Sequence, residues 1–363
     1  MTKKKSNVYI IAEIGGNHNG SVKIAKKLIY KSWQSGANAV KFQTFIPEEL
    51  SSINNKVADY QKKNIKKKIS SINILRICKL NYEDHFILKK YSESLGIDFI
   101  SSAFEMKSLR FLSKDLKIKN HKIPSGEITN FQLLFEHGKL NHNVILSTGM
   151  SSLKEIEKAL NILLAGYMHK RKKVSLSNNY IKKNFLKKNK NILKKKVTLL
   201  HCISNYPTEI KDINLNIIKT LKEKFDLPIG LSDHTISVLT PAVAVALGAK
   251  IIEKHITLNK KMFGPDHISS ILPIEFSSMV KNIRNAEKML GEKIKKPNSK
   301  EKKILKIVRK YLIASRKIEK GEIFSKKNIS SKRGKGAVCA SKYWELLGKK
   351  SNKNYNFDSF IEK

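Results

Sequence analysis

Residues 228–255 read PIGLSDHTISVLTPAVAVALGAKIIEKH, and their pattern decides the fold. Pro228–Leu231 is a short apolar run ending in Ser232-Asp233-His234. Val238–Leu247 is an apolar helical stretch closed by Gly248, a residue suited to a helix C-terminus. Lys250–His255 is a second strand-like run. This is one strand–helix–strand unit, and the chain repeats it. Similar runs lie at Val8–Glu13, Ala39–Gln43, Asp98–Ser101, His121–Ile123, Val144–Ser147 and Val197–His201. Amphipathic stretches fall between most of them. Ile24, Ala25, Leu28, Ile29 and Trp33 share one helix face, and Ser152 with Glu155 forms a capping box. Eight strands alternating with helices over about 290 residues predict an α/β fold, a (β/α)8 barrel.

The predicted organisation is a barrel over 1–290, a linker over 291–304 and a compact β-rich module over 305–363. In the module, Leu312–Ala314 and Lys317–Phe324 read as β structure around a Lys320-Gly321-Glu322 turn. Within the barrel, 166–196 carries twelve Lys/Arg and no acid, and reads as a disordered, solvated insertion.

The formal charge is +42, from 65 Lys and 7 Arg against 30 acidic residues. A nucleic-acid reader would draw on Arg for bidentate contacts. So lopsided a Lys share predicts a solvated surface that attracts small anions, without a specific nucleic-acid partner. No apolar run approaches the length of a membrane span. The lysine-flanked start is too short for a signal peptide and is interrupted by Glu13. Three scattered cysteines exclude a disulfide framework and fit a reducing cytoplasm.

In such barrels the chemistry collects at the C-terminal strand ends. Those ends supply Glu13, Lys41, Gln43, Ser102, Lys122, Ser125, Ser147, Ser204, Tyr206, Ser232, His234, Glu253 and His255. Two-residue alternation puts Lys41 with Gln43 on one face and Glu253 with His255 on another, with Lys254 turned away. His234 and His255 can meet from adjacent strands. Two imidazoles without a thiolate suit an open site for Mn2+ or Mg2+, and imidazole alone also suits Zn2+. Two strand lysines with several hydroxyls suit a phosphate and a carboxylate. The alternatives are an ion pair with Glu13 or Glu127, or a Schiff-base lysine. Glu13 could also cap the Asn17-His18 loop.

The motifs AEIGGNHNG (12–20), ANAVKFQT (37–44), KIPSGE (122–127), ILSTGM (145–150), LHCISNYPT (200–208), GLSDHT (230–235) and GPDH (264–267) occur in one order. Together they resemble the N-acetylneuraminate (sialic acid) synthase family of nonulosonic acid synthases. The resemblance implies condensation of phosphoenolpyruvate with N-acetylmannosamine or a related N-acyl amino sugar, releasing phosphate. Legionaminic or pseudaminic acid synthesis, a Schiff-base aldolase and a polyanion-binding protein are the alternatives. It implies His234 and His255 as metal ligands, and Lys41, Ser102, Lys122, Ser125, Ser147 and Ser232 around phosphoenolpyruvate, with Ser204 and Tyr206 nearby. Glu13, Gln43 and Asp266 would meet the sugar. It further implies an antifreeze-like (SAF) C-terminal domain and a domain-swapped homodimer. In that dimer Arg333 would reach the partner's site, although Arg333-Gly-Lys-Gly336 is one residue shorter than the family's run and lacks its proline.

Overall fold

The computed structural model describes residues 7–65, 69–169 and 185–362. The chain divides into two compact units, Met1–Gly291 and Glu292–Lys363.

The first unit is a closed barrel of eight parallel strands in sequence order. They are β1 (Tyr9–Glu13), β2 (Ala39–Thr44), β3 (Asp98–Ala103), β4 (Asn120–Ile123), β5 (Asn143–Ser147), β6 (Val197–His201), β7 (Ile229–Asp233) and β8 (Ile251–His255). Each matches a predicted run to within two residues at either end. Closure comes from β1 on β8, in register from Tyr9↔Ile251 to Glu13↔His255.

Strand periodicity builds the interior in layers. Ile11, Ala39, Ile100, Ile145 and Leu200 fill the lower barrel. Two residues further along the same strands stand Glu13, Lys41, Ser102, Ser147 and Cys202. The barrel is thus apolar below and charged above. The outward faces pack under helices such as Val22–Gln34 and Leu153–Met168 in one large core. Ser152 caps the second of these, accepting from Glu155 N at 3.3 Å, as its capping box predicts.

Gly230 on β7 has no room for a side chain. A Cβ there would stand 2.4 Å from the Ile251 carbonyl oxygen and 2.5 Å from Leu200 Cδ2. Gly230→Ala is expected to destabilise the barrel by about 1–3 kcal/mol through overpacking. Thermal unfolding would read this as a lowered midpoint, and an unchanged midpoint would refute the close packing.

The basic stretch corrects the expectation of a disordered insertion. Gly166 lies inside the helix Leu153–Met168, where its bare backbone meets Gly138. Phe185–Lys196 is helical with a kink at Asn189. Its Leu193 is fully buried, and Lys194 pairs with Asp226 at 2.5 Å. Sparse apolar residues among lysines are enough to dock this helix on the barrel. The remainder of the stretch, 170–184, lies outside the described residues.

The second unit opens with the helix Ser299–Val308, capped by Asn298 and Glu301, so half of the stretch expected to be linker is structured. β9 (Lys310–Ala314) pairs antiparallel with β10 (Ile329–Arg333) over a small core of Leu312, Ile318, Phe324, Ile329 and Tyr355. Lys317–Phe324 forms isolated bridges, Ile318↔Tyr355 and Ile323↔Lys350, in place of the expected strand. Gly321 turns at φ +88°.

Candidate active site

The charged layer opens into a cavity of about 480 Å³ at the C-terminal end of the barrel. Glu13, Lys41, Gln43, Lys122, Ser125, Ser147, Ser204, Tyr206, Ser232, His234, His255 and Asp266 all line it. One predicted barrel residue does not: Ser102 is fully buried on β3, beside Gln43 in register. Arg333 is an exposed end of β10 in the second unit.

Lys41 Nζ stands 2.8 Å from Glu13 Oε2 and 3.8 Å from Glu253 Oε1. Lys122 Nζ stands 3.3 Å from the same Glu253 oxygen, which also accepts from Ser232 Oγ at 3.0 Å. Gln43 Nε2 donates to Glu13 Oε1 at 3.0 Å. These four charged side chains are at most 4% exposed. Such a group persists only because each charge meets an opposite one. Burial opposes the charge on Lys41, but Glu13 and Glu253 outweigh it and hold its pKa above the ordinary lysine value. Burial wins at Lys122 and lowers it, against Glu253. Burial pushes Glu253 up, but Lys122, Lys41 and His255 hold it down to about 2. At Glu13 burial dominates and raises the carboxyl, with Lys41 opposing.

Two expectations are corrected here. The partner of Lys122 is Glu253, while Glu127 accepts from Asn130 at 2.8 Å. Glu13 turns to Lys41 and Gln43 and does not cap the following loop. Asn17 instead donates to the Ile256 carbonyl at 2.9 Å and Ser270 Oγ at 2.8 Å.

His234 and His255 face each other with ring centroids 5.5 Å apart. Tyr206 stacks on His234 at 4.1 Å and stands edge-on to His255 at 5.8 Å. His234 Nδ1 lies 2.6 Å from the Ile203 carbonyl. That contact fixes the proton on Nδ1 and leaves Nε2 as an acceptor, 3.4 Å from Ser232 Oγ. His255 Nδ1 is buried without a hydrogen-bond partner among the described residues. Burial lowers His234 to about 4, and burial with His234 beside it lowers His255 well below the usual range. Both rings are therefore neutral donors at neutral pH. Lys254, turned away as predicted, pairs with Asp233 at 2.6 Å and donates to the Ser237 carbonyl at 3.1 Å. This steadies the loop after His234.

The buried hydroxyls of Ser102 and Ser147 have no hydrogen-bond partner among the described residues. Ser125 Oγ accepts from Gly149 N at 3.0 Å and touches Cys202 Sγ at 3.1 Å. Asp266 lines the cavity within reach of Glu13 and Lys41, its carboxyl raised to about 7 by burial and then by Glu13, with Lys41 opposing.

Sequence reasoning listed Glu253 as a strand end but gave it no role. Its two-residue spacing from His255 was the available signal, but its partner Lys122 comes from β4, across the barrel. Cys202 and the apolar wall formed by Phe45, Ile74, Leu75, Cys78 and Phe104 were missed outright.

The NeuB family profile matches residues 28–295. The chain is 41% identical over 352 residues to the N,N'-diacetyllegionaminic acid synthase of Campylobacter jejuni, covering 97% of this chain and 98% of that one. It is 34% identical to a pseudaminic acid synthase of the same species, covering 99% and 96%. The N-acetylneuraminic acid synthetase of Leptospira borgpetersenii, solved with citrate, superposes with a TM-score of 0.68 at 31% identity, covering 83% of this chain and 90% of that one. The chain belongs to the NeuB family, which comprises the sialic and other nonulosonic acid synthases.

Proposed function

We propose that the protein is a cytoplasmic synthase that condenses phosphoenolpyruvate with N-acetylmannosamine or a related N-acyl amino sugar and water, giving a nonulosonic acid and phosphate. A legionaminic- or pseudaminic-type product is the finer alternative favoured by its relatives' names. The observation that carries the reading is the pair of buried lysines beside unpartnered hydroxyls, in one cavity with two neutral imidazoles.

Lys41 and Lys122 would hold the phosphate and carboxylate, with Ser125, Ser147 and Ser232 donating hydrogen bonds. Ser102 would support this group from beneath. C3 of phosphoenolpyruvate attacks the sugar aldehyde carbon, water adds at C2, and phosphate leaves with C–O cleavage. Ser204 and Tyr206 would border the reacting carbons. Glu13, Gln43 and Asp266 would orient the sugar, with Glu13 or Asp266 moving a proton. No three His, Cys, Asp or Glu side chains among the described residues form a metal cage. The unpartnered His255 Nδ1 and His234 Nε2, which meets only a long contact to Ser232 Oγ at 3.4 Å, still fit a Mn2+ or Mg2+ ion whose other ligands are water or substrate oxygens. Such an ion would supply Lewis-acid polarisation of the aldehyde.

Phosphate release from phosphoenolpyruvate should require both an N-acyl amino sugar and Mn2+ or Mg2+. Borohydride trapping of pyruvate on a lysine, with no phosphate released, would overturn the condensation in favour of an aldolase.

Asp266 is protonated below about pH 7 and ionised above it. As an acceptor for a sugar hydroxyl it would make kcat/KM for the sugar rise through that pH. Asp266→Asn should remove this inflection, and a retained inflection would take the role from Asp266.

In a domain-swapped homodimer, the second unit would be an antifreeze-like domain offering Arg333 to the partner's cavity. Mixing Arg333→Ala chains with Lys122→Ala chains should then restore turnover that neither has alone. Failure of mixed dimers to gain activity would refute the exchange.

A further inference from the structure

Of the ion pairs buried on both sides among the described residues, those of Lys41 and Lys122 belong to the cavity, and that of Lys254 with Asp233 does not. The Lys254 and Asp233 side chains are 1% and 0% exposed and stand 2.6 Å apart. Strand alternation turns them to the outer face of the barrel, and neither lines the cavity. Such a pair adds little to stability, since well-packed apolar side chains in its place are often as stable or more so. The best-attested use of a buried pair is to fix a register.

The register fixed here is that of β7 on β8, with Ser232 opposite Glu253 and Asp233 opposite Lys254. On the inner face Ser232 Oγ donates to Glu253 Oε1 at 3.0 Å. On the outer face Lys254 Nζ donates to Asp233 Oδ2. Two successive rungs are therefore locked by side chains, one on each face of the sheet. His234 and His255 are the next residue on each strand. The lock continues past His234. Asp233 Oδ1 accepts from Thr235 N at 2.9 Å. Lys254 Nζ also reaches the Thr235 carbonyl, Thr235 Oγ1 at 3.3 Å and the Ser237 carbonyl at 3.1 Å. The chain on both sides of His234 thus hangs on one ammonium, carried by the residue before His255.

We infer that the Asp233–Lys254 pair is a positioning device for the metal, setting the separation of the His234 and His255 rings from outside the barrel. The inference rests on the reading of those rings as metal ligands. Metal–ligand distances tolerate only about 0.2 Å of error. The two rings come from different strands, with centroids 5.5 Å apart, so strands that slide or splay at this rung lose one ligand. The Ile203 carbonyl orients His234 alone. The cross-strand pair acts on both rings at once.

The test is Mn2+ binding by the full chain, read by paramagnetic resonance without turnover. The double variant Asp233→Asn with Lys254→Met removes both charges, keeps an acceptor for Thr235 N and leaves the cavity lining unchanged. Its thermal midpoint should stay near wild type, and its affinity for phosphoenolpyruvate in chelator should not move. Its Mn2+ dissociation constant should rise about 10–100-fold, the range for groups that orient a metal ligand. Unchanged Mn2+ affinity overturns the inference. So does a joint loss of Mn2+ and phosphoenolpyruvate binding, which would make the pair a support of the whole barrel. Should the double variant fail to fold, Thr235→Val carries the test, since it removes one hydroxyl 3.3 Å from Lys254 and no charge. Mn2+ affinity should then fall about threefold, the size of one lost hydrogen bond, and no change overturns the inference. A wild-type chain that does not bind Mn2+ would sink the ligand reading itself.

Discussion

Lys122→Ala is expected to raise the KM for phosphoenolpyruvate by about a hundredfold or more, while the KM for the sugar moves by less than about threefold. The ammonium is buried, its charge is met by one oxygen of Glu253 at 3.3 Å, and it faces the cavity. A substrate phosphate or carboxylate would compete for it in a site that excludes water, where a point charge acts strongly. The substitution also has a stability cost. Glu253 would keep the distant Lys41 at 3.8 Å, Ser232 at 3.0 Å and the neighbouring His255 but lose its nearer ammonium, and removing one partner of a buried pair destabilises by about 3–5 kcal/mol. Steady-state kinetics alone would mix the two effects. The double variant Lys122→Met with Glu253→Gln separates them, since it removes both charges and leaves no orphan. Its thermal midpoint should recover toward wild type while the phosphoenolpyruvate KM stays high. If affinity recovers along with stability, Lys122 is a structural lysine only.

His234→Ala is expected to abolish metal-stimulated turnover, a fall of at least about a hundredfold, since even residues that merely orient a metal ligand cost 10–100-fold. The ring is held on one side by the Ile203 carbonyl at 2.6 Å and on its face by Tyr206 at 4.1 Å. Its Nε2, 3.4 Å from Ser232 Oγ, therefore has a fixed direction. Because burial lowers its pKa to about 4, protons should not compete with Mn2+ for it until the pH falls near that value. An ordinary histidine would already compete near pH 6.5. Mn2+ binding by paramagnetic resonance or calorimetry reads the ligand role without turnover. Near-wild-type turnover in chelator, or unchanged Mn2+ affinity, would remove His234 from the ligand set.

Much of the barrel was legible because parallel strands buried on both faces must be apolar, and they read as short runs between helices. The same periodicity made the site legible. Two residues above an interior residue the next side chain again points into the barrel, and from Ile11 to Glu13 and Ala39 to Lys41 that side chain is charged and faces the cavity. The helix Phe185–Lys196 was illegible because its lysines outvote Ile192 and Leu193 in composition, while docking on the core depends on such apolar side chains.

By itself the sequence determined the eight-strand order, the polar strand ends and the pairing of His234 with His255, because these follow from local periodicity and neighbouring strands. Only the tertiary structure decided that Lys122 meets Glu253 and not Glu127. Only it decided that Ser102 is buried without lining the cavity, and that residues from Phe45 to Phe104, far along the chain from the first strand end, line it with apolar groups. The reason is geometric. A closed barrel brings β4 and β8 to one axis, and a long connection folds back over its mouth. Contacts across that axis depend on closure and side-chain reach, which spacing along the chain does not encode.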